Sequence, residues 1–330
     1  MMKAMVIRSY GNADVFEISD VEIAPLKAGY VRVRVHATSV NPVDCKVRAN
    51  GPAFGPELPG ILHGDVAGVV EEIGGGVSEF ATGDRVFGCA GGMKGEPGAL
   101  AEFMNCDADL LAKMPRELGF REAAALPLVC LTAWEGLVDK AHIKAGQKVL
   151  VHAGTGGVGH VAIQIARAKG ADVFATISGD NKATIAKTLG ATPINYKTTS
   201  VAEYVDQHTG GSGFDVVFDT IGGDNIPRCW DAVKANGTVI SCQSNSTHDM
   251  TPVHMKGIVH AGVLMLIPLI SGQGRAHHGW IMQQIADMAE AGQISPVIDE
   301  MTFGLNQVAG AHQRWESGEA IGKIVINVSS

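Results

Sequence analysis

The 330-residue sequence has few of the features that mark nucleic-acid-binding or membrane proteins. Lysine and arginine total 26 against 34 aspartates and glutamates, which gives a net charge of −8. Basic residues are scattered, so the chain lacks the positive face that a phosphate backbone attracts. The most apolar stretch, 261–270, is too short to span a bilayer and contains Pro268. We therefore expect neither a nucleic-acid partner nor insertion into a membrane.

The sequence also lacks paired cysteines and an export signal. Its six cysteines include no C-x-x-C pair, and residues 1–11 have no apolar core of the kind that signal peptides carry. We expect reduced thiols and a cytoplasmic protein. A composition of 46% hydrophobic and 18% charged residues, over this length, is typical of two globular domains.

What the sequence does have is a glycine-rich turn inside the stretch 148–170. The apolar run 149–151 indicates a short buried strand, and apolar residues recur at helical spacing between 158 and 166. Between them the pattern G-x-G-x-x-G is typical of a dinucleotide pyrophosphate site, where free backbone N–H groups and a helix N-terminus attract negative charge. The predicted phosphate-binding turn comprises Gly154, Thr155, Gly156, Gly157, Val158 and Gly159.

The strand predicted at 172–177 ends at Ser178, where NAD-binding domains carry a ribose-binding acid. A hydroxyl at this position, with Lys182 one helical turn further on, favours a 2′-phosphate and therefore NADPH. Two alternatives stay open. Asp180 is the acid in a shifted register, or Lys182 is a solvated lysine in the first turn of a helix.

The fold class is read from the spacing of strands and helices. Residues before about 121 form short strands and turns, whereas later residues alternate strands with helices, which predicts a doubly wound parallel sheet. Helices are expected at 123–138 and 280–291. A last strand at 323–328 returns to the first domain, so the parallel domain is an insertion. The predicted boundaries are 1–122 with 272–330 for one domain and 123–271 for the other. The turn 220–223 follows a strand, at the edge where such sheets bind ligands.

Seven motifs in order along the chain resemble those of the medium-chain dehydrogenase/reductase family, in its zinc-free quinone oxidoreductase branch. The motifs are NPVDCKVR (41–48), LPGILHGDVAGVVEEIG (58–74), GDRVFG (83–88), LPLVCLTAWEGL (126–137), HAGTGGVG (152–159), LGATPINY (189–196) and GKIVI (322–326). The resemblance implies an α/β fold in which a Rossmann NADP-binding domain is inserted into a β-rich GroES-like catalytic domain. It also implies a homodimer formed through edge strands, for which 261–270 is the candidate.

The resemblance departs from the zinc alcohol dehydrogenases of the same family at the metal ligands. The three positions that carry Cys, His and Cys in those enzymes fall on Asn41, Gly64 and Leu128. None of these residues has a side chain that binds zinc. Cys45, His63 and Cys130 lie near the three positions, but three independent shifts of register are required to use them. We therefore expect no metal.

Without a metal, hydride transfer suits acceptors that are already electrophilic, such as quinones and α,β-unsaturated carbonyl compounds. Asn41 is the candidate donor to the developing oxyanion. Asp44 could orient Asn41, a water or the cofactor ribose, or it could be a helix-capping or turn acid. The resemblance places Thr132 near the nicotinamide, Tyr196 near the adenosine phosphate and Lys323 near the cofactor. Thr132 could instead bond its own helix backbone, and Tyr196 could be a half-buried strand residue.

The sequence thus predicts an NADPH-dependent, zinc-free reductase of small quinones or enones. Three alternatives are kept: an enoyl-thioester reductase, a zinc-type alcohol dehydrogenase, and a protein that binds or senses NADPH without turnover. The same fold can serve each of them.

Overall fold

The computed structural model describes residues 1–329, which form two compact units. We call Thr132–Met265 the central unit. Met1–Leu131, together with the chain from Leu266 onward, is the split unit. The boundaries proposed from the sequence stay predictions. Among residues 1–329, no helix combines the length and the apolar character needed to cross a bilayer.

Strands predominate before residue 120, whereas strands and helices alternate between residues 148 and 262. The strands are β1 Met2–Ile7, β2 Phe16–Val21, β3 Tyr30–Val40, β4 Asp65–Ile73, β5 Arg85–Cys89, β6 Phe103–Asp107, β7 Leu111–Lys113, β8 Lys148–Val151, β9 Asp172–Ile177, β10 Thr192–Asn195, β11 Phe214–Asp219, β12 Val233–Ser241, β13 Val259–Gly262, β14 Phe303–Gly304 and β15 Ile324–Asn327. The helices are α1 Pro42–Asn50, α2 Phe120–Ala124, α3 Pro127–Trp134, α4 Gly157–Ala168, α5 Asp180–Thr188, α6 Val201–Thr209, α7 Asn225–Ala232, α8 Thr251–Lys256, α9 Ile267–Ser271, α10 Arg275–Glu290 and α11 Val308–Glu316.

The central unit is built on a six-stranded parallel sheet in the order β10-β9-β8-β11-β12-β13. Its strands are short and apolar because helices cover the sheet, as the burial of Leu150, Val217 and Trp230 in one core cluster shows. The chain runs outward from β8 to β10 and then returns to β11 on the other side of β8. The carboxyl ends of β8 and β11 therefore flank a topological switch point, where such sheets bind ligands.

The split unit is built on antiparallel strands. β15, β3, β4, β5 and β7 lie side by side, β6 also pairs with β3, and β1 and β2 form a separate hairpin. Strand β15 comes from the end of the chain and pairs with Ala37–Val40 of β3. This pairing brings residues near 323 next to residues near 41, which are far apart in the sequence.

The predicted fold class is confirmed, but three predicted elements need correction. The single helix expected at 123–138 is instead α2, α3 and a π-helical segment Glu135–Lys140, because Pro127 cannot continue a helix from α2. The helix expected at 280–291 begins earlier, at Arg275. In the stretch 261–270, only the first residues are strand, and Pro268 stands in the first turn of α9.

Candidate functional site

The buried carboxylate of Asp65, at the start of β4, lies at the centre of a polar cluster in the split unit. One oxygen accepts a hydrogen bond from the Leu128 backbone N–H at 2.8 Å. The other accepts from the Ser39 hydroxyl at 2.6 Å and from the Asn41 amide nitrogen at 2.7 Å. A carboxylate removed from water is stable only when such donors replace the lost solvent. Asp65 thus fixes where Ser39 and Asn41 point.

Lys323, just before β15, supplies the positive charge of this cluster. Its ammonium lies 3.6 Å from the Asp65 carboxylate and donates to the Val40 carbonyl at 3.0 Å and to the Asn41 amide oxygen. Burial lowers the pKa of Lys323, while the charges of Asp65 and Asp44 act in the opposite direction. Asn41 is therefore held at both ends of its amide.

Asp44 and Asn41 close the start of helix α1. Asn41 has the extended backbone of an N-cap residue and Pro42 follows it, a combination that begins helices. The Asn41 backbone N–H donates to the Asp44 carboxylate at 2.8 Å. Burial, and secondarily the charge of Asp65, raises the pKa of Asp44 to about 7. Asp44 thus caps the start of α1, and its role at the site stays a prediction.

A second buried chain of hydrogen-bonded polar groups is attached to the backbone carbonyl of Asp65. Thr38 donates its hydroxyl to the Asp65 carbonyl at 2.6 Å and faces His63 Nδ1 at 3.4 Å. His63 Nε2 lies 2.9 Å from His312 Nε2, and His312 Nδ1 lies 3.3 Å from the Cys45 thiol. The Thr38 hydroxyl hydrogen is used by the Asp65 carbonyl, so the Thr38 oxygen must accept from His63. The remaining hydrogen bonds then run in one direction: Cys45 donates to His312, and His312 donates to His63. Burial lowers the pKa of both histidines, so both rings are neutral.

The positions of the zinc ligands in related dehydrogenases are filled differently here. A side chain at Gly64 would approach the Gly91 carbonyl oxygen to 2.8 Å and the Cys89 sulfur to 2.9 Å, so no histidine fits there. The neighbouring His63 and Cys45 are engaged in the buried chain with His312. In the described part of the chain, no three His, Cys, Asp or Glu residues are grouped so that they could hold a metal ion.

The glycine turn of the central unit has the geometry of an anion-binding turn. Ala153 adopts a left-handed backbone with φ of 51°, and α4 then begins with unpaired N–H groups. A Cβ on Gly154 would lie 2.6 Å from the Ala175 Cβ, and one on Gly159 would lie 2.2 Å from the Ala153 carbonyl oxygen. These two glycines allow the close packing of strand and helix. Gly156 has more open surroundings, and its small size leaves room for a ligand.

A cavity of about 600 Å³ lies at the carboxyl ends of β8, β9, β10 and β11. Two exposed apolar side chains, Tyr196 and Ile221, supply surface on which a flat ring can stack. Its lining also includes His152, Thr176, Ser200 and Arg228. The turn that contains Ile221 was predicted from its place after a strand. Arg228 was missed because it lies inside α7, with no local signal.

The remaining predicted residues lie as follows. Ser178 directly follows β9, Lys182 lies in the first turn of α5, and Tyr196 directly follows β10, which is paired with β9. The sheet therefore brings these three residues to one edge, and Tyr196 also lines the cavity. Thr132 is buried in α3. Lys323 has its ammonium engaged with Val40 and Asn41, and its contact with a cofactor stays a prediction.

Two family profiles match the chain. Residues 27–116 match the alcohol dehydrogenase GroES-like domain, and residues 189–326 match a zinc-binding dehydrogenase domain. Among curated proteins, the chain is 30% identical to a quinone oxidoreductase of Pongo abelii, over 99% of this chain and 98% of that one. It is 34% identical to a 2-methylene-furan-3-one reductase of Solanum lycopersicum, over 99% of this chain and 79% of the relative.

Solved structures of similar proteins have the same fold over the full length of this chain. An alcohol dehydrogenase superfamily protein from Novosphingobium aromaticivorans is 39% identical, with a TM-score of 0.95 and full coverage of both chains. The Escherichia coli quinone oxidoreductase complexed with NADPH is 26% identical, with a TM-score of 0.85 over 99% of this chain and 100% of that one.

We expect an Asp44→Asn variant to gain stability relative to the wild type as the pH rises from about 4 to about 7. The folded protein holds a proton on Asp44 up to about pH 7, whereas the unfolded chain releases it near 3.8. Wild-type stability from this group is present at low pH and is lost as the pH rises through that window. The difference grows by at most about 1.4 kcal/mol per pH unit. Thermal unfolding followed by circular dichroism measures it.

The Asp65→Asn variant is the matched control for this experiment. It leaves the Lys323 ammonium without its buried counterion, so it should be less stable than the wild type throughout the pH range. A constant difference between Asp44→Asn and the wild type from acid to alkaline pH would show that Asp44 is ionised in the folded protein.

Proposed function

Because the chain belongs to the medium-chain dehydrogenase/reductase family, in its quinone oxidoreductase branch, we propose that this oxidoreductase reduces quinones or α,β-unsaturated carbonyl compounds with NADPH. The observation that carries the proposal is the amide of Asn41. The family resemblance assigns it to the place of a metal ligand in zinc-dependent relatives, and it is held between a buried cation and a buried carboxylate.

The central unit fits a nicotinamide dinucleotide. The N–H groups that begin α4 would bind the pyrophosphate, and the cavity beside Tyr196 and Ile221 would take the adenosine. Gly156, whose added Cβ would meet nothing nearer than 3.2 Å, leaves room for that approach. The bound cofactor supplies the hydride. Thr132 is proposed to contact its nicotinamide half.

The preference for NADPH is proposed from Ser178 and Lys182. The hydroxyl and the ammonium can donate to a 2′-phosphate, whereas a carboxylate at position 178 would repel it. Tyr196 and Lys323 are kept as further cofactor contacts. The NADPH complex of the Escherichia coli relative supports the same cofactor.

Asn41 is proposed to donate an amide hydrogen to the acceptor oxygen as negative charge develops there. The Lys323 ammonium at its oxygen polarises the amide and makes the N–H a stronger donor. The amide is already oriented before substrate binds, which is how a fixed donor lowers a barrier. Asp44 holds the Asn41 backbone and thereby positions the amide.

This donor is weaker than a metal ion, which restricts the acceptor class. Quinones and enones delocalise the incoming charge, so they need less stabilisation than a simple aldehyde. The names of two relatives, a quinone oxidoreductase and a 2-methylene-furan-3-one reductase, fit that class. An enoyl-thioester acceptor shares the enone chemistry and is the second candidate.

The proposal is tested by following the disappearance of NADPH absorbance with a small quinone, an enone, an enoyl thioester and a simple aldehyde. We expect turnover of the quinone and the enone, slower turnover with NADH, and no change after treatment with a chelator. Activity confined to the aldehyde and abolished by chelation would mean that the protein is a zinc-type dehydrogenase. Binding of NADPH without turnover of any acceptor would favour a sensing role.

An Asn41→Asp variant tests the donor in the same assay. It keeps an oxygen for Lys323 but loses the amide hydrogens, so we expect kcat to fall at least about tenfold while NADPH binding is retained. An unchanged kcat would remove Asn41 from the proposal.

We expect a Lys182→Ala variant to raise KM for NADPH by about 5- to 10-fold and to leave KM for NADH unchanged. The reason is the loss of one charged contact to the 2′-phosphate, which NADH lacks. The matched control is Lys187→Ala, which removes an exposed lysine from the same helix. Equal changes for both cofactors would place the 2′-phosphate elsewhere, and Arg228 in the cavity wall is then the next cation to replace.

We also propose a homodimer formed through β13. This strand is one of the two edge strands of the parallel sheet, and Val259 on it is 57% exposed. An apolar edge strand pairs readily with another chain. Sedimentation should give a dimer at micromolar concentration and a monomer for Val259→Lys. Met255→Lys, on the neighbouring helix α8, should leave the dimer intact. A monomeric wild type would refute the proposal.

A further inference from the structure

The buried carboxylate of Asp219, at the end of β11, holds the turn that follows this strand. Asp219 has no exposed surface, so its two oxygens depend on donors within the protein. The backbone N–H groups of Ile221 and Gly222 donate to it at 3.1 Å and 3.0 Å. The Asn225 side-chain amide donates at 2.8 Å, and the Ser241 hydroxyl donates at 2.7 Å. The carboxylate is therefore bound by internal donors and does not itself reach a ligand.

The conformation of the turn 220–223 depends on these hydrogen bonds. A carboxylate that accepts from backbone N–H groups two and three residues further on closes a tight turn. Gly222 has a left-handed backbone with φ of 77°, and a Cβ there would lie 2.3 Å from the Gln243 carbonyl oxygen. The Thr220 hydroxyl donates to the His152 carbonyl at 2.8 Å. The turn is thus fixed from the side of the sheet.

The other side of the turn forms part of the cavity wall. Ile221 and Gly222 line the cavity at the carboxyl ends of the strands, and so does Asn225. Ile221 is 46% exposed, so it offers apolar surface to a ligand. Its position is set by Asp219, which lies behind the turn. A wall that is already ordered before binding saves the conformational entropy of ordering it on the ligand.

We propose that Asp219 is a positioning residue for the adenosine half of the cofactor. It holds the turn 220–223 so that Ile221 forms an apolar wall of the cavity before the ligand arrives. This inference rests on the proposed binding of a nicotinamide dinucleotide in the central unit. Without the hydrogen bonds of Asp219 the turn is free to move, and part of the binding free energy is then used to order it again.

Two substitutions separate the hydrogen bonds of Asp219 from its charge. Asp219→Ala removes the acceptor altogether. Asp219→Asn keeps an oxygen for the turn and directs an amide nitrogen towards the Ser241 hydroxyl oxygen, which can accept. The matched control is Asp215→Ala, which removes a carboxylate from the opposite end of the same strand. That carboxylate accepts from the Lys148 backbone N–H and pairs with Lys234.

The probe is adenosine 2′,5′-bisphosphate, which contains the adenosine half of NADPH and cannot be turned over, and calorimetric titration gives its Kd. We expect Asp219→Ala to bind it about 5- to 20-fold more weakly than the wild type. Asp219→Asn should recover most of that loss, and Asp215→Ala should bind as the wild type does. In the reductase assay, Asp219→Ala should raise KM for NADPH by a similar factor without lowering kcat, because the hydride leaves from the other half of the cofactor.

Coupling to Ile221 distinguishes positioning from a general loss of stability. Ile221→Ala should weaken binding of the bisphosphate about 3-fold in the wild type, through the loss of apolar contact. In the Asp219→Ala background it should weaken binding hardly further, because the wall is already displaced. If the two factors multiply in full, Asp219 does not act through Ile221 and the inference is wrong.

The outcomes separate this inference from the proposed function. A wild type that binds neither the bisphosphate nor NADPH would refute the nucleotide site and this inference with it. A wild type that binds both, with Asp219→Ala equally tight, would refute the role of Asp219 alone. Hydrogen exchange of the wild type without ligand decides the question even if Asp219→Ala fails to fold. We expect protected amide hydrogens at Ile221 and Gly222, and exchange as fast as in an exposed loop would show that the turn is not held.

Discussion

The buried carboxylate of Asp65 is the group on which the polar core of the split unit depends. It gathers donors from β3, from the start of α3 and from the residue that begins α1, and Lys323 balances its charge. Each of these groups would be costly to bury alone, and together they replace the solvent that each has lost. The orientation of Asn41 is a consequence of this arrangement. The donor that we propose for a substrate oxygen is thus held by the same bonds that hold the fold.

The protonation states around this core limit the pH range in which it is stable. Asp44 has a raised pKa, so its contribution to stability is present at low pH and is lost as the pH rises through about 7. His63 and His312 have lowered pKa values, so unfolding releases rings that take up protons as the pH falls below the ordinary value of 6.5. The two effects have opposite signs. The contribution of these groups to the free energy of unfolding is therefore greatest near neutral pH.

Metal chemistry and this polar core are alternative uses of one place in the family's fold. At Gly64 the backbone of Gly91 and the sulfur of Cys89 fill the space of a histidine side chain. At Asn41, which the family resemblance aligns with a thiolate ligand of zinc-dependent relatives, this chain has an amide, and the Lys323 ammonium donates to its oxygen. The consequence is a weaker electrophile than zinc. That is the physical reason for connecting this chain with acceptors that are already electron-poor.

The sequence by itself determined the features that depend on neighbouring residues. The glycine turn, the alternation of strands and helices and the place of Asn41 before a helix are local patterns, and periodicity and steric rules suffice to read them. Helix boundaries were read less well: the predicted helix 123–138 ran through Pro127, which breaks it, and the helix predicted at 280–291 begins at Arg275. Only the tertiary structure decided the partners of the site. Lys323 meets Asn41 because β15 pairs with β3, and His152 and Arg228 line one cavity because four strands end at one edge of the sheet. These contacts join residues far apart in the chain, so no local pattern carries them.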